Sequence, residues 1–577
     1  MAQAFTVLQL THFKKIGDNY HRLIWPAREL ARQAPHWRVI NMLAEAEAHY
    51  DWAEKADLLV LSQSLDLDLL PVIERRRARG LKTLAEYADN FYEPPLTSTA
   101  AGHMSTPLSC QRYELVLEAC DAIIVTGPGL RALIGAHFPD KEIHILENHY
   151  PETLPEFERR WRPPGESFVV GWGGSAGHVA DVLAIMPVLG RVAAARPGLR
   201  VHLMGEQGLA SHARIPPAQL SFRPWGDIDA YFRFLDGLDL GVVPLMDTPF
   251  NRCRSDVKAI EMISRGVLPL LPARLPYEAL LQASGLEPYR DAADLEARIL
   301  HYMDNPEALR EDARRLYDYV RAHRVAPLRR ERLELYRRMM PAHPATSDWP
   351  LPPGYHEVEG PRLQETPSGG ILRRFADIGD DGALGEAVAC LRRAVEENPA
   401  HPDLALRYLT LAARAGVPDW EARLEMAQAR FPRDLRFPLL ALRLCGEGSR
   451  KTRWAGLLER LAALPPAQRA FWEKEATTLM YHHLGRDPGL LEEARGLLAL
   501  FPGSLPLMQR IALGHEARGE DGAALALFRE LADARNLYER NRDYLSRVSA
   551  PWLNTWVEIL EERLKQTSSR GGKTLEE

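Results

Sequence analysis

The sequence predicts an α/β protein with an all-α extension, namely two Rossmann-like domains followed by a solenoid of helical repeats. Short apolar strands alternate with amphipathic helices twice, through residues 5–150 and again through residues 167–340, and such alternation is typical of a parallel sheet with helical crossovers. A segment rich in Pro, Gly and Ser follows at 341–370, and only helix-period patterns continue beyond it. We therefore expect domains at 1–155, 156–340 and 371–565, with 341–370 as a linker.

Composition and charge exclude several classes of protein. The 577 residues include 72 basic and 78 acidic ones, and the net charge of −6 gives no electrostatic case for binding nucleic acid or an anionic membrane. No apolar run approaches the ~20 residues needed to span a bilayer. Five cysteines lack CxxC or zinc spacing and suit a reducing compartment. Because the N-terminus also lacks a signal-peptide pattern, we expect a cytoplasmic protein.

The first 150 residues predict one Rossmann-like domain. Strands are expected at 5–10, 37–42, 58–62, 81–88, 122–126 and 143–148, with helices between them, the first after a turn at 17–20. Ligands of such sheets bind at the carboxyl ends of the strands. This rule selects the cleft residues Gly17, Asp18, Asn19, Ser62, Asp89, Asn90, Thr126 and Asn148. Asn and Asp also form turns and caps, so each residue alone has a structural alternative.

A second Rossmann-like domain is predicted after residue 156. A strand at 167–172 runs into a glycine turn at Gly173–Gly177, and the next helix is expected to end near residue 194. Further strands are expected at 200–206, 239–245 and 267–272, a turn and helix at 221–239, and a helical tail at 291–340. Glycines after a strand let backbone amides approach a phosphate at a helix N-terminus. The glycine turn is therefore a candidate phosphate site.

The stretch 240–269 carries the strongest functional signal. It predicts a strand, a polar loop, and a helix that starts near Ser255, a suitable N-cap residue. The loop supplies Asn251, Arg252 and Arg254. Positive side chains beside a helix N-terminus favour the binding of an anion such as a pyrophosphate.

Lys258 and Glu261 on this helix are three residues apart, so they share one face. We expect Lys258 to contact a phosphate and Glu261 to accept hydrogen bonds from ribose hydroxyls. The structural alternative is a solvated helix that carries an i,i+3 ion pair.

Residues 173–177, GGSAG, also match the G-x-S-x-G nucleophile elbow of α/β hydrolases, with Ser175 as the nucleophile. A hydrolase of that fold has one continuous sheet, with an Asp and a His later in the chain. The sequence instead predicts two separate α/β halves, and His301 falls in a helical tail. The hydrolase is therefore kept as a minor alternative.

Taken together, these motifs resemble those of GT-B glycosyltransferases, and most of all the group-1 (GT4-like) family. In the second domain the resemblance rests on Gly171-Trp172-Gly173-Gly174-Ser175, His178, Asp181, Gly205, Pro244, Asn251, Ser255, Lys258, Glu261 and Gly266. In the first domain it rests on Gly17, Tyr20, Arg22, Pro26, Asn148 and the segments 56–60, 80–82, 88–90 and 120–122. The resemblance covers roughly residues 5–340.

The resemblance implies that a sugar moves from a nucleotide-sugar donor, held mainly by the second domain, to an acceptor held mainly by the first. The catalytic residues it implies are Arg254, Lys258 and Asp89. The donor-binding residues it implies are Gly173, Gly174, Ser175, His178, Asn251, Ser255, Lys258 and Glu261, with Gly174 and Ser175 meeting phosphate through their backbone. The acceptor-side cleft residues are Gly17, Asp18, Asn19, Tyr20, Asn90 and Asn148.

The resemblance also implies a retaining reaction and no cofactor beyond the nucleotide sugar. Because fixed positive charge stabilises the leaving group, it implies that no divalent metal is needed. The sequence departs from the family at residues 251–256, where the first glutamate of the family's pair is missing, and this leaves the identity of the sugar open. A metal-dependent GT-A enzyme would use an Asp-x-Asp motif. Asp66-Leu67-Asp68 matches those letters, but its position at a helix start in the first domain indicates capping.

Beyond residue 370 the pattern resembles a tetratricopeptide-repeat (TPR) array. Helix, proline, helix units recur, and their prolines are separated by 33, 34 and 36 residues, at Pro399, Pro432, Pro466 and Pro502. This spacing matches the ~34-residue TPR period. We expect a TPR-like solenoid of about five helical pairs, followed by a disordered tail at 566–577. His482-His483 lacks a third ligand at useful spacing and is expected on a helix surface.

Solenoids of this kind commonly bind an extended peptide or a partner protein on their curved face. We therefore expect two partners, a nucleotide-sugar donor and a protein or peptide acceptor recruited by the repeats. The alternatives are a polysaccharide or other glycan acceptor, a helical domain that only stabilises the transferase, and a scaffold whose transferase half is inactive.

Overall fold

The computed structural model describes residues 4–11, 17–94, 106–206, 208–209, 213–346, 348–376, 381–464, 466–533, 557–561 and 563–564. The chain divides into two compact units, Met1–Arg374 and Phe375–Glu577. The tail predicted to be disordered lies outside the described residues.

The N-terminal domain of the first unit is a parallel sheet covered by helices. Its strands are β1 (Thr6–Thr11), β2 (Arg38–Leu43), β3 (Leu58–Ser62), β4 (Lys82–Glu86), β5 (Ala122–Val125) and β6 (Glu142–Ile145). Its helices are α1 (Trp25–Gln33), α2 (His49–Lys55), α3 (Leu69–Ala78), α4 (Pro107–Ala119) and α5 (Pro128–His137). The strands lie in the order β2-β1-β3-β4-β5-β6, all parallel. The order reverses at β1, so the loops after β1 and β3 flank the crevice where such sheets bind ligands.

The segment before α1 is helical rather than a turn. A helical turn at Gly17–Asn19 continues into a π-helix at Tyr20–Ile24, which leads directly into α1. The predicted turn at 17–20 is therefore wrong. A π-helical turn carries one more residue than an α-turn and often marks a functional site, and a search for a 3.6-residue period does not find it.

The C-terminal domain of the first unit is a second parallel sheet. Its strands are β7 (Phe168–Gly173), β8 (Leu199–Gly205), β9 (Leu220–Pro224), β10 (Leu240–Val242) and β11 (Leu268–Leu270). Its helices are α6 (Val179–Ala195), α7 (Ile228–Leu235), α8 (Val257–Ser264), α9 (Glu278–Ser284), α10 (Ala292–Asp304) and α11 (Pro306–His323). The strand order is β11-β10-β7-β8-β9. The order reverses between β7 and β10, which places the ligand crevice beside the glycine turn after β7 and the loop after β10.

The end of the α/β unit returns to the N-terminal sheet. Helix α12 (Glu331–Met339) packs Leu333 and Tyr336 into the core beneath β1 and β3. Strand β12 (Gly354–Val358) pairs in parallel with β2, and α13 (Pro367–Arg374) follows. The predictions that residues 291–340 all close the second domain, and that 341–370 is only a linker, are therefore wrong.

The second unit is all-α. Its helices are α14 (Asp381–Glu397), α15 (Pro402–Arg414), α16 (Trp420–Arg430), α17 (Arg436–Leu444), α18 (Glu447–Ala463), α19 (Pro466–Arg486), α20 (Leu491–Leu500), α21 (Leu505–Ala517) and α22 (Asp521–Asp533). Helices close in sequence pack on each other, as in a solenoid. His483 lies in this core and accepts a hydrogen bond from the Trp454 indole at 3.1 Å, so its predicted surface position is wrong. The TPR period remains a prediction.

The predicted fold class is confirmed: two Rossmann-like domains are followed by a helical region. In the part of the chain that the structure describes, every helix is too short or too polar to cross a bilayer.

Candidate functional site

A cavity of about 380 Å³ lies between the two Rossmann-like domains, where the carboxyl ends of both sheets meet. This volume falls within the range of about 300–1,000 Å³ found for small-molecule sites. Part of its lining is predicted from the sequence: Gly17, Tyr20, Asp89, Thr126, Asn148, Ser175, His178, Arg254, Ser255, Lys258 and Glu261. The remaining lining residues are His21, Ala88, Trp225, Gly226, Asp227, Ile228, Tyr231, Leu245, Val257 and Tyr277.

The N-terminus of α8 is anchored by a buried ion pair at the cavity wall. Asp256 precedes the helix but makes no side-chain cap; its carboxylate accepts two hydrogen bonds from Arg324, at 2.6 and 2.9 Å. Arg324 also donates to the Asn148 carbonyl at 3.0 Å. Ser255 is not the N-cap that the sequence suggested, and its hydroxyl instead accepts from the Asn148 amide at 2.9 Å. The start of α8 is thus tied to the N-terminal domain.

Two basic side chains line the cavity beside this helix start. Arg254 donates to Asp89 across the domain boundary at 2.8 Å and lies over the Phe250 ring at 4.4 Å from its centroid. Lys258, in the first turn of α8, has its Nζ 3.4 Å from the Gly173 carbonyl oxygen. Together with the α8 amides, these groups make this end of the cavity positively polarised.

Glu261 lies one turn further along α8 and is almost fully buried. Its Oε1 is 2.8 Å from Nε2 of His21, which belongs to the π-helix of the N-terminal domain. Burial raises the pKa of Tyr231 well above its usual value, and the negative charge of Glu261 adds to this rise. The Glu261 carboxylate is therefore oriented by a side chain of the N-terminal domain.

The glycine turn after β7 differs in detail from its predicted role. The Gly174 amide donates to the Met204 carbonyl at 3.0 Å, so it is not available to a phosphate. A Cβ at Gly174 would lie 2.7 Å from the Trp172 ring and 2.8 Å from Lys258 Nζ, which explains why glycine is needed there. Neither Gly173 nor Gly174 lines the cavity, whereas Ser175 does.

Asn251 supports the site from behind. It lies in a helical turn at Pro249–Arg252 rather than in a loop, and its amide donates to Asp181 at 2.8 Å. Asp181 also accepts from the Met246 amide and lies 3.1 Å from Nδ1 of His178. Asn251 is buried and does not line the cavity. The structure therefore does not support the prediction that Asn251 contacts the donor directly.

His178 lies at the cavity wall as a neutral imidazole. Burial holds its pKa well below the usual value, and the positive charges of Arg254 and Lys258 lower that pKa further. A neutral imidazole adds a hydrogen-bonding group to the phosphate end of the cavity without adding charge.

The predicted residues of the N-terminal domain divide into two groups. Gly17, Tyr20, Asp89 and Asn148 line the cavity. Asn19 accepts a hydrogen bond from Thr11 and Asn90 accepts one from the Tyr92 amide at 2.9 Å, and neither lines the cavity. The Asp18 side chain lies outside what the structure describes.

Several lining residues were missed by the sequence analysis. Trp225 and Asp227 follow β9, a strand that had been predicted as a turn, so the strand-end rule was not applied there. His21 lies inside the segment whose π-helical turn hides its register. If a strand had been predicted at 220–224, the strand-end rule would have selected the Trp-Gly-Asp loop that follows it.

No triad is formed around Ser175. Among the described residues, no hydrogen bond joins the Ser175 hydroxyl to His178, and the Nδ1 atom of His178 faces Asp181 from the same turn. The Asp66-Leu67-Asp68 carboxylates accept hydrogen bonds from Tyr50 and Ser368 instead. No group of three or more His, Cys, Asp or Glu that could hold a metal ion occurs within the described ranges.

His149, beside the site, predicts a pH dependence of stability. Burial, followed by the charges of Arg324, Arg329 and Arg22, lowers its pKa to about 3, whereas the unfolded value is about 6.5. Below pH 6.5 only the unfolded chain binds this proton, so stability falls as the pH drops, by up to about 1.4 kcal/mol per pH unit. We expect His149→Asn to flatten the fall of the thermal unfolding midpoint between pH 6.5 and 5. Above pH 7.5 the variant and wild-type curves should run parallel, and an unchanged acid slope would contradict the assignment.

Comparison with known proteins finds solved structures that are similar to part of the chain. No model of a protein family matches the chain, and no curated protein sequence does. Similar solved structures include TarM, at 12% identity and a TM-score of 0.37 over 49% of this chain and 54% of TarM. The similar region thus spans about half of TarM.

Two further solved structures are similar to part of the chain. HepE from Anabaena, in complex with UDP, has 11% identity and a TM-score of 0.41 over 58% of this chain and 100% of HepE. A mutant O-GlcNAc transferase from Thermobaculum terrenum has 15% identity and a TM-score of 0.38 over 58% of this chain and 68% of that one. Similarity at this level assigns neither a ligand nor an activity to the chain.

Proposed function

We propose that the chain is a glycosyltransferase that transfers a sugar from a nucleotide-sugar donor. The observation that carries the proposal is the placement of Arg254, Lys258 and Glu261 in one cavity at the switch points of two parallel sheets. A nucleoside diphosphate needs positive charge for its phosphates and a hydrogen-bond acceptor for its ribose hydroxyls. Arg254 and Lys258 supply the positive charge, and Glu261 supplies the hydrogen-bond acceptor. Lys258 and Glu261 lie on α8, and Arg254 lies just before it.

The same charges account for the chemistry of the proposed transfer. When the bond between the sugar and the diphosphate breaks, negative charge develops on the leaving phosphate oxygen. Arg254 and Lys258 are held in place before the reaction, so they stabilise that charge without reorganisation. We propose Asp89 as the residue that faces the acceptor hydroxyl, because it lines the cavity from the N-terminal domain.

The finer assignments rest on the resemblance of the sequence motifs to the GT4-like family. They are retention of the anomeric configuration, independence of divalent metal, and the absence of any cofactor beyond the nucleotide sugar. The anomeric configuration of the product by NMR tests the first, and activity in EDTA tests the second. We also propose that the protein is located in the cytoplasm.

For the acceptor, we propose a protein or peptide recruited by a TPR-like second unit. The sequential packing of its helices and the proline period support this. Deletion of residues 375–577 should abolish transfer to a protein acceptor while leaving donor binding intact. Unchanged transfer to a free saccharide after that deletion would favour a glycan acceptor instead.

The direct test of the donor proposal is a thermal-shift panel. A ligand that binds only the native state raises its unfolding temperature, so at least one of UDP, GDP, ADP and dTDP, or the matching sugar nucleotides, should raise the midpoint of the α/β unit. The corresponding nucleosides, which lack phosphate, should not. No shift with any of them would support the rival view that the transferase half is an inactive scaffold.

A further inference from the structure

Two groups that the proposed donor would use are held by side chains of the opposite domain. Arg254 is paired with Asp89 at 2.8 Å, and Glu261 is paired with His21 at 2.8 Å. Asp89 and His21 belong to the N-terminal domain, whereas Arg254 and Glu261 belong to the C-terminal domain. All four side chains line the same cavity.

The Asp89–Arg254 pair uses few of the hydrogen-bond donors of the guanidinium group. An arginine has five N–H donors, and the recorded bond to Asp89 joins one Arg254 nitrogen to one carboxylate oxygen. The Nε atom of Arg254 is buried and has no hydrogen-bond partner among the described residues. The guanidinium is therefore only partly satisfied by its present anion.

A diphosphate is the stronger ligand for such a guanidinium. It carries more negative charge than a carboxylate and can accept several N–H bonds in a bidentate geometry. Lys258 lines the same cavity and adds attraction for phosphate. Asp89 and a diphosphate are both negatively charged and repel each other, so it is unfavourable for both to pair with Arg254 at once.

We propose that Asp89 is a resident counter-ion of Arg254 and that an incoming nucleoside diphosphate displaces it. This inference rests on the proposed function and deepens it, because it assigns a control step to the same site. Binding of the donor then breaks one contact between the domains and frees the Asp89 carboxylate. The freed carboxylate is an acceptor for a hydrogen bond from the acceptor hydroxyl, so the acceptor site is completed only after the donor binds.

The test compares two carboxylates of the same cavity. Asp89→Asn removes the counter-ion of Arg254 and keeps the size of the side chain. Asp227→Asn removes a cavity carboxylate that does not pair with Arg254; Asp227 caps α7 through the Ala230 amide, and asparagine caps a helix equally well. The probe is whichever of UDP, GDP, ADP and dTDP binds the wild type most tightly in calorimetric titration.

We expect Asp89→Asn to bind this diphosphate about tenfold more tightly than the wild type, since the charge–charge competition is removed. Its ligand-free unfolding temperature should fall, because a contact between the domains is lost. Asp227→Asn should change the affinity by less than about threefold. Asp89→Ala serves as a second variant and should also bind more tightly.

The outcomes separate the two proposals. Equal or weaker binding by both Asp89 variants overturns the displacement, since a purely structural role lowers stability and affinity together. An equal gain in affinity for Asp89→Asn and Asp227→Asn also overturns it, because that result reports only general electrostatics. If no diphosphate binds the wild type or any variant, the proposed function itself fails, and the displacement fails with it.

Discussion

Replacing Lys258 by alanine is expected to weaken nucleoside-diphosphate binding by about 30- to 100-fold. The Lys258 ammonium lies in the first turn of α8, at the polarised end of the cavity. A hydrogen bond to a charged group contributes about 1.5–3 kcal/mol, and each 1.4 kcal/mol corresponds to about tenfold in affinity. Calorimetric titration with the best-binding diphosphate measures the loss directly.

Arg252 provides the matched control for Lys258. It is also a basic residue near α8, but it is exposed, pairs with Asp247 at 2.7 Å and does not line the cavity. Arg252→Ala should therefore leave the affinity within about twofold, because surface ion pairs contribute little. An equal loss of affinity in the two variants would mean that diphosphate binding depends only on the general charge of the surface.

Glu86→Gln is expected to destabilise the N-terminal domain by about 3–5 kcal/mol. The Glu86 carboxylate is buried at the end of β4. It accepts hydrogen bonds from Arg332 of α12 at 2.8 and 2.9 Å and forms an ion pair with Arg22 at 2.8 Å. Removing its charge leaves the guanidinium groups of the buried Arg22 and the largely buried Arg332 without a counter-ion. Breaking a buried ion pair by removing one partner is strongly destabilising. Hydrogen-exchange mass spectrometry on peptides that cover β1 and β4 measures the change in local stability.

The control for Glu86 is the exposed pair of Lys55 and Asp51. Asp51→Asn should cost less than about 1 kcal/mol. Burial alone would raise the pKa of Glu86, but the charges of Arg332 and Arg22 outweigh it, and the pKa lies below its usual value. The contribution of a lowered carboxyl pKa is present above the unfolded value and is lost as the pH falls through the folded value. A loss for Glu86→Gln no larger than that of Asp51→Asn at pH 7 would contradict this account.

Much of the fold could be predicted because the central strands are continuous apolar runs. Strands β1 and β3 are buried along their length, since helices cover both faces of a parallel sheet. The missed strands β9 and β12 are edge strands with half-exposed residues. Strand β9 ends at Pro224, and prolines precede β12, so turn signals outweighed the weak strand signal.

The site could be predicted only in part, for a different reason. Residue type and the strand-end rule are enough to select Lys258, Arg254 and Glu261, because they lie on one helix and the loop before it. The contacts of His21 and Asp89 depend on how the two domains face each other, and no periodicity encodes that. Motif order alone could not show that Asn251 and the Gly174 amide are already engaged within the domain.

The most direct test of the central claim is an experimental structure of the protein with its best-binding nucleoside diphosphate. We expect phosphate oxygens within hydrogen-bond distance of Arg254 and Lys258, with the ribose hydroxyls at Glu261. A nucleotide bound elsewhere, or bound in this cavity with its phosphates away from both basic side chains, would contradict it.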